Sequence, residues 1–307
     1  MKDFNRLPNF IILGAGKAGT TTLFGSIAQS PDVYAPPKKE IKFFSDDTNY
    51  QKGVEWYQDT FFNNAQAYPI RFEVTPVYIT FGDKVAPRMK EVYEEYPIKF
   101  AVIFRDPVKR AYSHYWHRRR LGHDNLSFNE AIRTEDTRLK QNHHRLYPKG
   151  NALYGYYHGG CYASLLKPYL EIFPKSSFLF LLQSDLRTNF SGTMDSIFSF
   201  LEIESGVELE PIVSNAASVP RNKFIGTLYD SLKKTQIKRL YTSIIPRKQR
   251  IKIRDQWVDK PFQYPPMDPE IEDELYVRYQ DEIKVLEKII GRDLSHWRPD
   301  RNGNTQQ

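Results

Sequence analysis

Residues Phe10-Ile11-Ile12-Leu13-Gly14-Ala15-Gly16-Lys17-Ala18-Gly19-Thr20-Thr21-Thr22-Leu23 carry a short apolar run into a glycine-rich turn and out through three threonines. The run reads as a buried strand and the threonines as the start of a helix. A strand feeding a helix through a tight turn is the opening of a parallel β/α unit. Glycines let the backbone bend and approach a ligand, and a helix start offers unpaired N–H groups at the positive end of its dipole. The segment therefore predicts an anion cradle as well as a fold class.

The same alternation recurs along the chain. Apolar, β-rich runs at Phe10–Leu13, Ile70–Glu73, Phe100–Phe104 and Phe178–Leu182 alternate with helical patterns at Thr20–Gln29, Lys84–Glu95, Val108–Arg120 and Tyr162–Phe173. This predicts an α/β fold: a central, mainly parallel sheet flanked by helices, with ligands at the carboxyl ends of the strands. Ser127-Phe128-Asn129-Glu130 reads as a capping box. Asp268-Pro269 opens a long final helix whose Ile271, Leu275, Tyr279, Ile283 and Leu286 form one apolar stripe before Gly291 stops it. Breaks are short and there is no internal repeat, so one domain over residues 1–307 is expected, with a core at 8–297 and a tail at 298–307. Residues from about 205 to 269 are the least regular.

Three phosphate-binding patterns compete for the glycine turn. Gly14, Gly16 and Gly19 satisfy G-x-G-x-x-G, but the dinucleotide fingerprint also needs an acidic residue at the end of a second buried strand. Glu40 stands at the right distance, yet it follows Ala35-Pro36-Pro37-Lys38-Lys39, which cannot end such a strand. A Walker-type loop needs its lysine after the last glycine, whereas Lys17 precedes Gly19. The third pattern keeps the lysine inside the loop and offers Gly19-Thr20-Thr21-Thr22 to a terminal phosphate. A second block, Phe104-Arg105-Asp106-Pro107 through Ser113, ends a strand in an arginine and places a serine about two turns into the next helix. Arg105 and Ser113 can grip one phosphate there, the guanidinium supplying a forked donor. The plainer reading pairs Arg105 with a local carboxylate.

Composition narrows the partners. With 44 basic against 37 acidic residues the net charge is +7, which favours an anionic ligand. No zinc-finger or RNA-binding signature is present, so a nucleic-acid partner is not expected. Cys161 is the sole cysteine, and His114 and His117 lack partners in sequence for a metal site, so no metal is expected. No apolar run is long enough to span a bilayer and the N-terminus lacks a signal-peptide core; a cytoplasmic setting is expected.

In these blocks the chain resembles the sulfotransferases that use 3′-phosphoadenosine 5′-phosphosulfate (PAPS), in the style of the heparan sulfate enzymes and their bacterial relatives. Gly14–Thr22 resembles the family's 5′-phosphosulfate loop, and Phe104–Ser113 its 3′-phosphate block. Lys39-Glu40-Ile41-Lys42-Phe43-Phe44 resembles the K-E-x-x-F-F segment that supplies a catalytic glutamate. Gly53–Tyr57, Phe72–Tyr78, Asn215–Asn222 and Gly291–Trp297 follow in the family's order.

The resemblance implies a P-loop-like donor site with PAPS as donor and 3′-phosphoadenosine 5′-phosphate (PAP) as product. Gly16, Lys17, Ala18, Gly19, Thr20, Thr21, Thr22, Arg105, Ser113 and Arg221 would hold the nucleotide. Lys17 would stabilise the leaving phosphate, and Glu40 would act as general base toward a hydroxyl or amine of a carbohydrate, lipid-linked sugar or small metabolite. Arg118 to Arg120 would suit an anionic acceptor, and Tyr162 is either an adenine neighbour or a core aromatic. Three departures detach the acceptor from heparan sulfate. Val74 stands where heparan-type enzymes often carry lysine, Lys42 where some 3-O-type relatives carry histidine, and Cys161 lacks the paired cysteine of those relatives. A nucleotide kinase or NTPase, and a non-catalytic nucleotide- or glycan-binding module, are the competing readings.

Overall fold

The computed structural model describes residues 4–94, 96–141, 155–204, 206–212, 218–220 and 259–297. Contacts divide the chain into two compact units, Met1–Ile212 with Met267–Gln307, and Val213–Pro266. In the first, β1 (Phe10–Gly14), β2 (Val33–Tyr34), β3 (Ile70–Val74), β4 (Lys99–Phe104) and β5 (Phe178–Leu182) form one sheet in the order β2-β3-β1-β4-β5. Every pairing is parallel. β1 and β3 are buried along their whole length and β4 beyond its first residue. β1 and β4 accordingly read as near-continuous apolar runs, whereas β3 carries the buried Arg71 and Glu73 between apolar residues.

The chain after β1 crosses to the β2 edge, and the chain after β4 crosses to the opposite edge at β5. The order therefore switches direction between β1 and β4, and the crevice outside their carboxyl ends is where an open α/β sheet takes a ligand. The glycine turn leaves β1 there, and Arg105 follows β4.

The helices are α1 (Thr20–Ile27), α2 (Asp47–Tyr50), α3 (Gly53–Phe61), α4 (Gly82–Tyr93), α5 (Pro107–Arg120), α6 (Phe128–Arg133), α7 (Glu135–Gln141), α8 (Tyr162–Ile172), α9 (Gln183–Thr188), α10 (Phe190–Leu201) and α11 (Pro269–Ile290). Helix α6 starts in the expected capping box, with Ser127 and Glu130 exchanging bonds. Asp268 caps α11, Pro269 occupies its first turn, and Gly291 ends it at φ 66°. All five residues of its apolar stripe are buried. β2, α2, α3, α7, α9 and α10 are additions to the expected pattern. The second unit contains an antiparallel pair, β6 (Ser218–Pro220) with β7 (Asp259–Pro261).

Candidate active site

The turn after β1 is held from below. The Ala15 N–H donates to the Ile103 carbonyl (2.9 Å), tying the turn to β4, and the Ala18 N–H returns to the Ala15 carbonyl (3.3 Å). Gly14 must be glycine because a Cβ there would lie 2.6 Å from Ile79 Cγ2 and 2.8 Å from the Pro76 carbonyl oxygen. Gly19 caps α1 at φ 106°, a conformation open to glycine and strained for other residues. Gly16 differs, since a Cβ there meets nothing nearer than Pro76 Cβ at 4.0 Å. Packing does not demand that glycine, so its side of the turn is a cradle that a side chain would fill. The Leu23 N–H makes the first intrahelical bond, to Gly19 O at 3.1 Å. The N–H groups of Thr20, Thr21 and Thr22 precede it and have no intrahelical acceptor, and Gly19 supplies no side-chain cap. Thr20 is buried and Thr21 exposed.

Arg105 belongs to this loop, because its Nη1 donates to the Lys17 carbonyl at 3.1 Å. The adjacent carboxylate of Asp106 is occupied otherwise. Its Oδ1 accepts the Val108 and Lys109 N–H groups, and its Oδ2 accepts the Tyr276 hydroxyl at 2.8 Å. Asp106 thus fixes the start of α5. The Tyr162 hydroxyl donates to the Arg105 carbonyl at 2.9 Å, and its ring packs on Phe104 and Trp297. Tyr162 is therefore a core aromatic that holds the strand end.

Helix α5 turns a basic face to Lys17. Burial first, then Arg105, Arg120, Arg118 and Arg110, lower the Lys17 ammonium from the ordinary 10.5 to about 8. Ser113 is buried on the same face, one turn beyond Arg110 and one before His117. Arg119 leaves this group: its ring neighbours are Tyr115 and Trp116, and its Nη1 donates to Leu126 O at 2.6 Å. The run Arg118-Arg119-Arg120 thus divides between the site and the surface packing.

Glu40 sits on the β3 side. Its N–H donates to the Val74 carbonyl at 3.0 Å, and its carboxylate meets Lys39 Nζ at 3.1 Å while remaining 47 % exposed. Phe43 and Phe44 are fully buried, so the segment is docked in the body and the carboxylate stays open to a partner. His117 lies within electrostatic reach of both Lys17 and Glu40. Burial, then Lys17, Arg118 and Arg120, push its imidazole down to about 4, while Glu40 pulls the other way. Burial, then Arg110 and Arg118, push His114 well below its ordinary value, and its Nε2 accepts from Arg118 Nε at 3.2 Å. Both rings are neutral at neutral pH. Among the described residues no group of three or more His, Cys, Asp and Glu is placed to hold a metal ion. Sequence spacing directs attention to His114 and His117 as a ligand pair; only the fold reveals that His117 shares a field with the loop lysine and the carboxylate.

The structure thus gathers Gly16 through Thr22 with Arg105, and turns the helix face bearing Ser113 toward Lys17. Glu40 is coupled to the group through His117 and Lys42. Arg221 lies outside the described residues.

A parallel sheet with its switch point under a glycine turn, bordered by a cationic helix, defines an open α/β fold with a basic crevice at its strand ends. The family model for the sulfotransferase domain matches residues 7–220, and the chain belongs to that family. It is similar to human bifunctional heparan sulfate N-deacetylase/N-sulfotransferase 2, with 32 % identity over 216 residues that cover 66 % of this chain and 23 % of the relative. Against the human N-deacetylase/N-sulfotransferase 3 the identity is 28 % over 320 residues, covering 96 % of this chain and 32 % of the relative. The chain therefore spans less than a third of the length of these relatives. Its fold is similar to the crystal structure of a sulfotransferase from Alicyclobacillus acidocaldarius, with TM-score 0.69 and 24 % identity over 95 % of this chain and 99 % of the other. No described helix is long and apolar enough to cross a membrane.

Proposed function

We propose that the chain is a PAPS-dependent sulfotransferase acting on a hydroxyl or amine of a carbohydrate-type acceptor. One observation carries this reading: Lys17 is set in a glycine turn, and the four charges that shift it most are all arginines. Holding that ammonium charged costs the empty fold about 3 kcal/mol. A doubly charged phosphate beside it removes the cost. The donor set fits such a group: three helix-start N–H groups, the Thr20 and Thr21 hydroxyls, a cradle at Gly16 and forked guanidinium donors.

PAPS supplies a sulfuryl group activated by its bond to phosphate. Lys17 and the N–H groups of Thr20 to Thr22 oppose the negative charge that builds on the departing phosphate oxygen as the acceptor displaces it at sulfur. Arg105 and Ser113 hold the second phosphate of the nucleotide, and Arg221 belongs to the same set. The Glu40 carboxylate takes the proton that the acceptor loses as its new bond to sulfur forms. The relatives' names point to a polysaccharide, and the Arg118 and Arg120 side of α5 favours an anionic one. One sulfotransferase domain over the chain and a cytoplasmic setting, for which the sole cysteine speaks, are parts of the same proposal.

A labelled-donor screen across sugars, lipid-linked sugars and small amines tests it. Lys17→Ala and Glu40→Gln are each expected to reduce transfer by at least about 100-fold with the fold intact. Near-wild-type transfer in either variant removes that residue's role.

A further inference from the structure

Glu73 is a carboxylate with no solvent exposure at the end of β3, and none of the groups that shift its carboxyl is a cation. Burial raises that carboxyl, and three hydroxyls oppose the rise. Thr75 Oγ1 donates to Oε1 at 2.6 Å, the Tyr78 hydroxyl to Oε1 at 2.8 Å, and the Tyr57 hydroxyl to Oε2. A hydroxyl has one proton and a carboxylate has none to give, so each hydroxyl spends its proton on Glu73 and can only accept elsewhere.

What they hold is the Glu40 segment. Thr75 Oγ1 accepts the Lys42 N–H at 3.4 Å, and the Tyr78 hydroxyl accepts the Phe44 N–H at 3.3 Å. Between them the Phe43 ring stacks on Tyr57, with centroids 4.3 Å apart and planes 7° from parallel. Three consecutive residues are therefore each held by one of the groups that Glu73 orients. The segment needs external ties, since Glu40 and Lys42 both hold positive φ, at 61° and 63°.

We propose that Glu73 is a positioning residue for Glu40, acting through the Thr75 and Tyr78 hydroxyls on the Lys42 and Phe44 N–H groups and through the Tyr57 ring on the Phe43 side chain. This rests on the reading of Glu40 as the base. A leucine at position 73 removes the acceptor of all three protons, so the Thr75 and Tyr78 hydroxyls are no longer fixed as acceptors for the Lys42 and Phe44 N–H groups.

Residue-resolved hydrogen exchange on the full chain, free of ligand, tests the device. The Lys42 amide is expected to exchange roughly tenfold faster in Thr75→Val, the Phe44 amide in Tyr78→Phe, and both in Glu73→Leu. Protection of β1 and β4 and the Kd for PAP should stay within about twofold. If Glu73→Leu does not fold, the two single-hydroxyl deletions carry the test. Unchanged exchange at Lys42 and Phe44 overturns the proposal.

Release of PAP from PAPS with water as acceptor supplies a second readout. The hydroxyl deletions should lower kcat about tenfold while leaving the donor KM alone. In a Glu40→Gln background they should have no further effect. An equal loss in both backgrounds means a merely structural role and overturns the proposal. Wild-type release in Glu40→Gln, with the exchange pattern as expected, overturns the base assignment alone and still supports Glu73 as the residue that sets the segment.

Discussion

Among the described residues five non-glycine residues hold positive φ, and three of them, Lys17, Glu40 and Lys42, belong to the candidate active site; the other two, Glu94 and Glu202, close helices. Each such conformation stores roughly 1 kcal/mol or more. Replacing Glu40 by glycine is accordingly expected to raise stability in urea by up to about 1 kcal/mol while abolishing transfer. A loss of stability would show that the site is relaxed.

Lys17 makes a sharper prediction. An anion beside it restores its pKa upward from about 8, so at pH 8 binding of PAP takes up roughly half a proton. The phosphates are already ionised there and contribute none. Affinity falls as pH rises above 8, and below about pH 7 the uptake vanishes because Lys17 is already charged. Calorimetry in buffers of different ionisation enthalpy measures the uptake, and Lys17→Arg should eliminate it.

Helix α5 shows how much an element's start decides. Asp106 caps two N–H groups, accepts the Tyr276 hydroxyl from α11 and is nearly fully buried. Ser127 caps the exposed α6 with a single partner pair. Asp106→Ala is expected to cost about 2–3 kcal/mol in denaturant unfolding, and Ser127→Ala about 1. Equal costs would mean that the link to α11 contributes nothing.

The Asp-Pro starts of α5 and α11 are legible in sequence because proline and a capping carboxylate act within one turn. The four longer strands are legible because most of their residues are buried, with only Lys99 at the start of β4 and Leu179 and Phe180 in β5 half-buried. β2 is not, since two residues have no period, and its place depends on pairing with β3. Glu73 is visible only as an acidic residue in an apolar run. Its donors come from 16 residues before it and from the turn after it, a juxtaposition that folding alone creates. His117 is similar, because helical spacing suggests a metal pair whereas its surroundings are cationic.

At the scale of the molecule, a surplus of +7 charge, a switch point between β1 and β4 and a cationic helix face converge on one anion site. Ligand binding there must stabilise the whole first unit, by about 2.7 kcal/mol at a hundredfold excess over Kd. Thermal unfolding with and without PAP should show this, and Lys17→Ala should suppress it. The most direct measurement is a calorimetric titration of the full chain with PAP, ATP and NAD in the presence of a metal chelator. Micromolar binding of PAP, with neither ATP nor NAD approaching it, is the result predicted. No binding of PAP, or tight binding of ATP that depends on magnesium, would contradict the reading of this loop as a phosphosulfate site.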